Sequence, residues 1–270
     1  MKNLNKKVAV VTGAGSGIGR ALAINLAKEG CHLALSDINE AGLRETVDLV
    51  YSTIDKSSIN ISTHKLDVAD QKAIFEYADT VVREHSHVDL IINNAGVASH
   101  SRIEDISHED FEWVININMW GVINCTRAFL PFLKLRPEAH IVNIASINSI
   151  IGFPANGPYT VSKYAVQGFT ETLIQEFRRT NLRISSVHPG GIRTNIANST
   201  RNAPAKSIQT FNKVAATTPD RAAKIIIRGI KRNKEKIFVG LDALLMQIFK
   251  RLFPNAAVRI VGFLADKATK

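Results

Sequence analysis

Tyr159 and Lys163 stand four positions apart in a segment with helical periodicity, which puts both side chains on one face. A phenol with an unperturbed pKa of about 10 is a weak base near neutrality, and an adjacent ammonium favours its ionised form. Such a pair can pass a proton to or from an alcohol oxygen. The spacing alone recurs by chance on helix surfaces, so the surroundings must make it specific. Ser146 ends an apolar run thirteen positions earlier, where its hydroxyl can meet the tyrosine and bond a substrate carbonyl. Asn118 falls inside a long helical pattern; asparagine is a poor mid-helix residue, so a local distortion or a water site is expected there, with Asn116 competing for the assignment.

A second group of residues suits a dinucleotide. Thr12-Gly13-Ala14-Gly15-Ser16-Gly17-Ile18-Gly19 directly follows the apolar run Val8 to Thr12. Small residues let the backbone turn tightly against a pyrophosphate, whose charge is favoured by the N–H groups and positive end of a following helix. No Gly-Lys-Ser/Thr ends the motif, which excludes a nucleoside-triphosphate loop. Asp37 lies eighteen positions after Gly19 at the end of the next apolar run, where its carboxylate can accept from both adenosine ribose hydroxyls. That charge would repel a 2'-phosphate, and no cation occupies Ser16, Ser36 or Ile38, so NAD is expected over NADP. The competing reading makes Asp37 a helix cap before Asn39 and Glu40. Asp67 and Val68 follow a third run and could contact adenine, while Asp70 is the better cap for the next helix.

These residues need a scaffold that brings strand ends together. Short apolar runs at His32–Ser36, Ile61–Lys65, Asp89–Ile92, His140–Ala145 and Arg183–Val187 alternate with helical segments at Glu40–Thr53, Asp70–Arg83, His108–Leu133 and Pro158–Thr180. The expected architecture is α/β: a Rossmann-type doubly wound parallel sheet flanked by helices. One domain is expected through residue 240, followed by a helical C-terminal extension over 241–270. Ligands of such sheets gather beyond the carboxyl ends of the strands. Residues 192–218, rich in Thr, Asn, Ala and Ser, are expected to be a mobile substrate loop.

Composition narrows the function classes. A 45% hydrophobic and 21% charged content is ordinary for a globular chain, and no run approaches the roughly 18 apolar residues of a spanning helix. The opening lysines and short apolar run read as a first strand rather than a signal peptide. Cys31 and Cys125 have no metal-like spacing, so a reducing, cytoplasmic setting is expected; His85 and His87 read as solvated loop residues, and no metal site is expected. The net charge of +10 is concentrated at the carboxyl end: residues 221–270 carry +9 and the first 220 only +1. No nucleic-acid-binding module accompanies it, so no nucleic-acid partner is expected. Leu241, Leu244, Leu245, Ile248, Phe249, Leu252 and Phe253 recur at helical spacing, and a second apolar segment runs from Val258 to Leu264. Both could pack over the substrate cleft or a subunit interface, or lie on an anionic membrane surface. Either arrangement favours an apolar alcohol or ketone as the small-molecule substrate.

Taken together, the motifs resemble those of the short-chain dehydrogenase/reductase family. Thr12-Gly13-x-x-x-Gly17-Ile18-Gly19, Asp67, Asn93-Asn94-Ala95-Gly96, Asn118, Ser146, Tyr159-x-x-x-Lys163 and Pro189-Gly190-x-x-x-Thr194 occur in family order across residues 8–194. The resemblance implies an oxidoreductase in which hydride moves between nicotinamide and a carbinol or carbonyl carbon. It implies Tyr159 as acid/base, Ser146 orienting the substrate oxygen, Lys163 holding the nicotinamide ribose while lowering the tyrosine pKa, and Asn118 anchoring a water. Ile192 and Thr194 would bind the carboxamide, Asn93 would brace the sheet, and the glycines would seat the pyrophosphate. A homotetramer or dimer is also implied. The alternative is a catalytically silent NAD(H)-binding regulatory or membrane-associated protein; the complete catalytic group argues against it.

Overall fold

In β1 (Val8–Thr12) alternate residues face opposite ways: Ala9 and Val11 pack into one hydrophobic core and Val8 and Val10 into another. A strand buried on both sides must be apolar throughout, which is why the parallel strands are legible as short unbroken runs. The computed structural model describes residues 1–269, with side chains described through Phe263. After β1 come α1 (Gly17–Lys28), β2 (His32–Asp37), α2 (Glu40–Tyr51), β3 (Ile61–Lys65), α3 (Gln71–His85) and β4 (Leu90–Asn93). The second half holds α4 (His108–Ile115), α5 (Gly121–Lys134), β5 (Ala139–Ile144), α6 (Gly157–Phe177), β6 (Leu182–Pro189), α7 (Ala205–Val214), α8 (Pro219–Lys231), β7 (Lys236–Val239), α9 (Leu241–Leu252) and α10 (Pro254–Thr269). The seven strands form one parallel sheet in the order β3-β2-β1-β4-β5-β6-β7. The order reverses between β1 and β4, so a crevice opens beyond their carboxyl ends.

The helix foreseen over His108–Leu133 is present, and the distortion that Asn118 suggested is a π-helical turn at Asn116–Trp120. Two expectations need correction. Residues 192–218 are not a structureless loop: they contain α7, and Ile192 bridges to Thr217. His85 and His87 are half-buried rather than solvated; His85 Nε2 meets Ser62 Oγ at 2.9 Å, and His87 Nε2 lies 3.2 Å from Asp89. Leu264, Lys267 and Lys270 of the predicted tail lie outside the described side chains. Among the described residues no cluster could hold a metal ion, and no helix is long and apolar enough to cross a membrane.

Candidate active site

The glycine-rich turn between β1 and α1 is shaped by close backbone contacts. Gly13 adopts a positive φ of 66°, and a Cβ there would meet Ala95 Cα at 2.7 Å; one on Gly19 would sit 2.0 Å from the Gly13 carbonyl oxygen. Thr12 Oγ1 accepts from the backbone N–H groups of Asn94 and Ala95, and Asn94 Nδ2 donates to the carbonyls of Thr12 and Gly13. The Asn94 side chain, expected to touch a cofactor, thus braces the loop that would. Ser16 opens α1 without a side-chain cap, whereas Asn39, Asp70, Ser107 and Thr218 each cap the helix they precede. The first-turn N–H groups of α1 therefore lack an internal partner at the point where a pyrophosphate fits.

Asp37 is not the cap of α2, since Asn39 holds that position. Its carboxylate accepts from Gly15 N at 2.8 Å and from Asn39 N at 2.9 Å, and it faces the crevice. The nearby Arg20 is engaged elsewhere: its guanidinium bonds Glu45 through both terminal nitrogens at 2.7 Å. Asp67 accepts from Ala69 N and Asp70 caps α3, and Asp67 and Val68 border the crevice.

At the far end β5 delivers Ser146 and α6 delivers Tyr159 and Lys163. Asn148 N donates to Ser146 Oγ at 3.1 Å, which fixes the hydroxyl at the cavity wall. Lys163 is 3% exposed; its Nζ donates to the Ile144 carbonyl at 2.9 Å and lies 5.5 Å from the Tyr159 ring centroid. Burial pushes its pKa down to about 8. Burial pushes the Tyr159 phenol up, opposed by a hydrogen bond with Ser146. Burial and Ser146 are what shift the tyrosine here, while the Lys163 ammonium, anchored on Ile144, lies beside the ring. Asn118 is fully buried in the π-turn while Asn116 is exposed. Its Oδ1 accepts from Val97 N at 2.8 Å, and its Nδ2 donates to Val97 O and Ser162 Oγ. Behind these, Asn93 Nδ2 donates to Asn143 Oδ1 at 2.8 Å across β4 and β5, a link that stiffens the sheet beneath the site.

Of the residues expected to serve catalysis or hold the cofactor, all but Gly15, Gly19 and Asn118 line a single cavity of about 1110 Å³. Its lining joins Asp37, Ile38, Gly13 and Gly17 with Tyr159, Pro189, Gly190, Ile192 and Thr194. It also includes the apolar side chains of Trp113, Phe153, Phe211, Met246 and Phe249, none of which the motifs identified. Nor did they identify His188, which is buried behind Ser146. Its Nδ1 meets Ser149 Oγ at 2.9 Å, Ser149 in turn donates to the Ser146 carbonyl, and burial pushes the imidazole down to about 4. Asp242 of α9 accepts from Gly191 N at 2.6 Å, tying the C-terminal segment to the loop after β6.

The profile of the short chain dehydrogenase family matches residues 7–205. The chain belongs to that family. The oxidoreductase SadH of Mycobacterium tuberculosis is 38% identical over 269 residues, covering 97% of this chain and 96% of its own. That match extends into the C-terminal segment, beyond the reach of the family profile. The 3-oxoacyl-[acyl-carrier-protein] reductase FabG of Thermotoga maritima is 32% identical over 207 residues, covering 77% and 81%. Among solved structures, a short chain dehydrogenase/reductase from Burkholderia phymatum in complex with NAD has a TM-score of 0.86 at 28% identity, covering 95% and 96%. As a short-chain dehydrogenase the protein is an oxidoreductase using a nicotinamide cofactor, and the uncapped α1 terminus, the close-packed glycines and the Asp37 carboxylate fit that group.

Proposed function

We propose that the protein interconverts a lipophilic secondary alcohol and its ketone, with NAD preferred over NADP. The reading is carried by one observation: Ser146 and Tyr159 line the same cavity as the glycine-rich turn and Asp37 on the one hand and the apolar Trp113, Phe153, Phe211, Met246 and Phe249 on the other. Gly13, Ser16, Gly17 and Ile18 would hold the pyrophosphate, Asp37 the adenosine ribose, Asp67 and Val68 the adenine, Lys163 the second ribose, and Ile192 and Thr194 the carboxamide. The bound nicotinamide supplies the two-electron acceptor or donor. Ser146 orients the substrate oxygen. The Tyr159 hydroxyl gives a proton to that oxygen in reduction and receives one in oxidation. Lys163 spends one N–H on Ile144 and keeps two for a ribose hydroxyl. Asn118 fixes the Val97 backbone next to the site and so acts as a positioning residue. Asp37 without a disengaged cation beside it supports NAD, since a 2'-phosphate would meet a carboxylate. The aromatic and aliphatic part of the lining supports an apolar substrate, which gains free energy by leaving water.

The decisive experiment is Tyr159→Phe. Turnover of a long-chain or polycyclic secondary alcohol, read as NADH absorbance, should fall by a factor of at least about 100, while NADH binding by fluorescence is kept. Undiminished turnover would overturn the mechanism, and a wild-type kcat/KM as high with NADPH as with NADH would overturn the cofactor preference.

A further inference from the structure

An amphipathic helix at the edge of a domain ordinarily turns its apolar stripe inward. In α9 much of the stripe is turned out: Leu241 is 74% exposed, Leu245 60%, Ile248 48% and Leu252 64%, while Ala243, Met246 and Phe249 make the inward contacts. In α10, Ala257 and Val261 pack on Ile151, and Val258 and Phe263 face outward, 52% and 59% exposed. Nine of the eighteen large apolar side chains exposed among the described residues fall between 241 and 263. A concentration of that kind marks a surface that is covered in use.

Two further observations identify the cover. The first is charge. Lys224, Lys231 and Lys236 pair with Asp220, Glu29 and Glu171 on the body of the protein. Lys250, Arg251 and Arg259, on the same two helices as the apolar face, form no ion pair among the described residues. A second copy packed face to face would set these cations against their own equivalents, whereas an anionic lipid surface would neutralise them. The second is continuity with the active site. Leu245 and the 69% exposed Val214 of α7 belong at once to the outer surface and to the lining of the active-site cavity. The cavity thus opens beside this face.

We propose that the outward face of α9 and α10 docks on an anionic lipid bilayer, and that the cavity mouth between α7 and α9 admits lipophilic substrate from it. The second half rests on the proposed alcohol–ketone reading; the docking does not. The test uses the full-length protein with vesicles of phosphatidylcholine alone or mixed with phosphatidylglycerol. The wild type should sediment with the mixed vesicles, be released by raised salt, and stay in solution with phosphatidylcholine alone. The triple variant Leu241→Ser, Ile248→Ser, Leu252→Ser, whose side chains do not line the cavity, should bind at least about tenfold more weakly. The double variant Arg251→Gln, Arg259→Gln should lose the salt-sensitive part. With a short, dissolved secondary alcohol the triple variant should turn over as the wild type does; with a long-chain alcohol held in mixed vesicles it should be several-fold slower. Wild-type protein that ignores anionic vesicles would overturn the docking, and so would a wild-type oligomer that the triple variant dissolves, which would give the face to a second copy. Vesicle binding without any alcohol turnover would overturn the substrate reading and leave the docking standing. Equal rates for both forms on the embedded alcohol would overturn admission from the bilayer.

Discussion

Burial opposes ionisation of Tyr159, so under the proposed mechanism it would act at neutral pH as a proton donor first and as an acceptor only as the pH rises. Initial rates of ketone reduction should therefore hold through neutrality, while alcohol oxidation should climb with pH; profiles measured in both directions check this, and a neutral optimum for oxidation would contradict it. Lys163 carries a separate cost. Its folded pKa of about 8 lies below its ordinary 10.5, so the folded state resists the proton that the unfolded chain holds. By linkage the penalty is complete below pH 8, amounts to about 3 kcal/mol, and fades as pH rises towards 10.5. Lys163→Met removes the buried charge at similar length and leaves the Ile144 carbonyl without its donor, a loss of about 1 kcal/mol. The variant should be inactive yet melt higher than the wild type at pH 7, with the gap closing in alkali. A lower melting temperature at neutrality would show that the ammonium stabilises its site.

The π-turn at Asn116–Trp120 is the element that makes Asn118 useful. One residue of extra winding turns its amide to span both the N–H and the carbonyl of Val97, beside Gly96 at the mouth of the site. Asn118→Leu, close in volume, would strand those two groups, while the Ser162 hydroxyl would lose the amide it accepts from and keep its bond to the Tyr159 carbonyl. It should destabilise the fold by about 2–4 kcal/mol in urea titration and reduce kcat in the surviving protein. Asn118 was legible as a distortion because asparagine breaks helical grammar. Other elements left weaker traces. In α7 the apolar residues Ile208, Phe211 and Val214 are few, and no residue of the helix is buried, because it packs by walling a cavity rather than by joining the core. The stripe of α9 was plain, but periodicity reports that a helix has two faces and not which one is covered. His188 acquires its meaning only through Ser149, thirty-nine residues away in sequence. The strands and the motifs at their ends were legible for the opposite reason, since local sequence dictates both.

Across the molecule, chemistry and cohesion occupy opposite edges of the sheet. The site residues stand at the carboxyl ends of the strands, whereas Asp89 precedes β4 at the other edge, fully buried. Its carboxylate accepts from Val8 N at 3.0 Å and Arg136 Nε at 2.9 Å, with Lys7 Nζ at 3.4 Å, and so clamps the start of β1 to the segment after α5. Burial alone would raise its pKa; the Val8 N–H and the Arg136 and Lys7 charges outweigh burial and hold it below the ordinary 3.8. A carboxylate lowered in the folded state adds stability above its unfolded pKa and loses it as pH falls through the folded one. Asp89→Asn keeps the shape but sets an uncharged amide among cations and can leave the Val8 N–H facing a donor. It should cost about 2–4 kcal/mol at pH 7 by urea unfolding. In acid the wild type surrenders the same contribution, so the two proteins should converge in stability as pH falls below 3.8. The folded fraction of the variant should retain wild-type kcat, because nothing at the catalytic edge touches this clamp. A stability difference that stays constant from neutral to acid pH would show that the carboxylate charge is not what joins these elements.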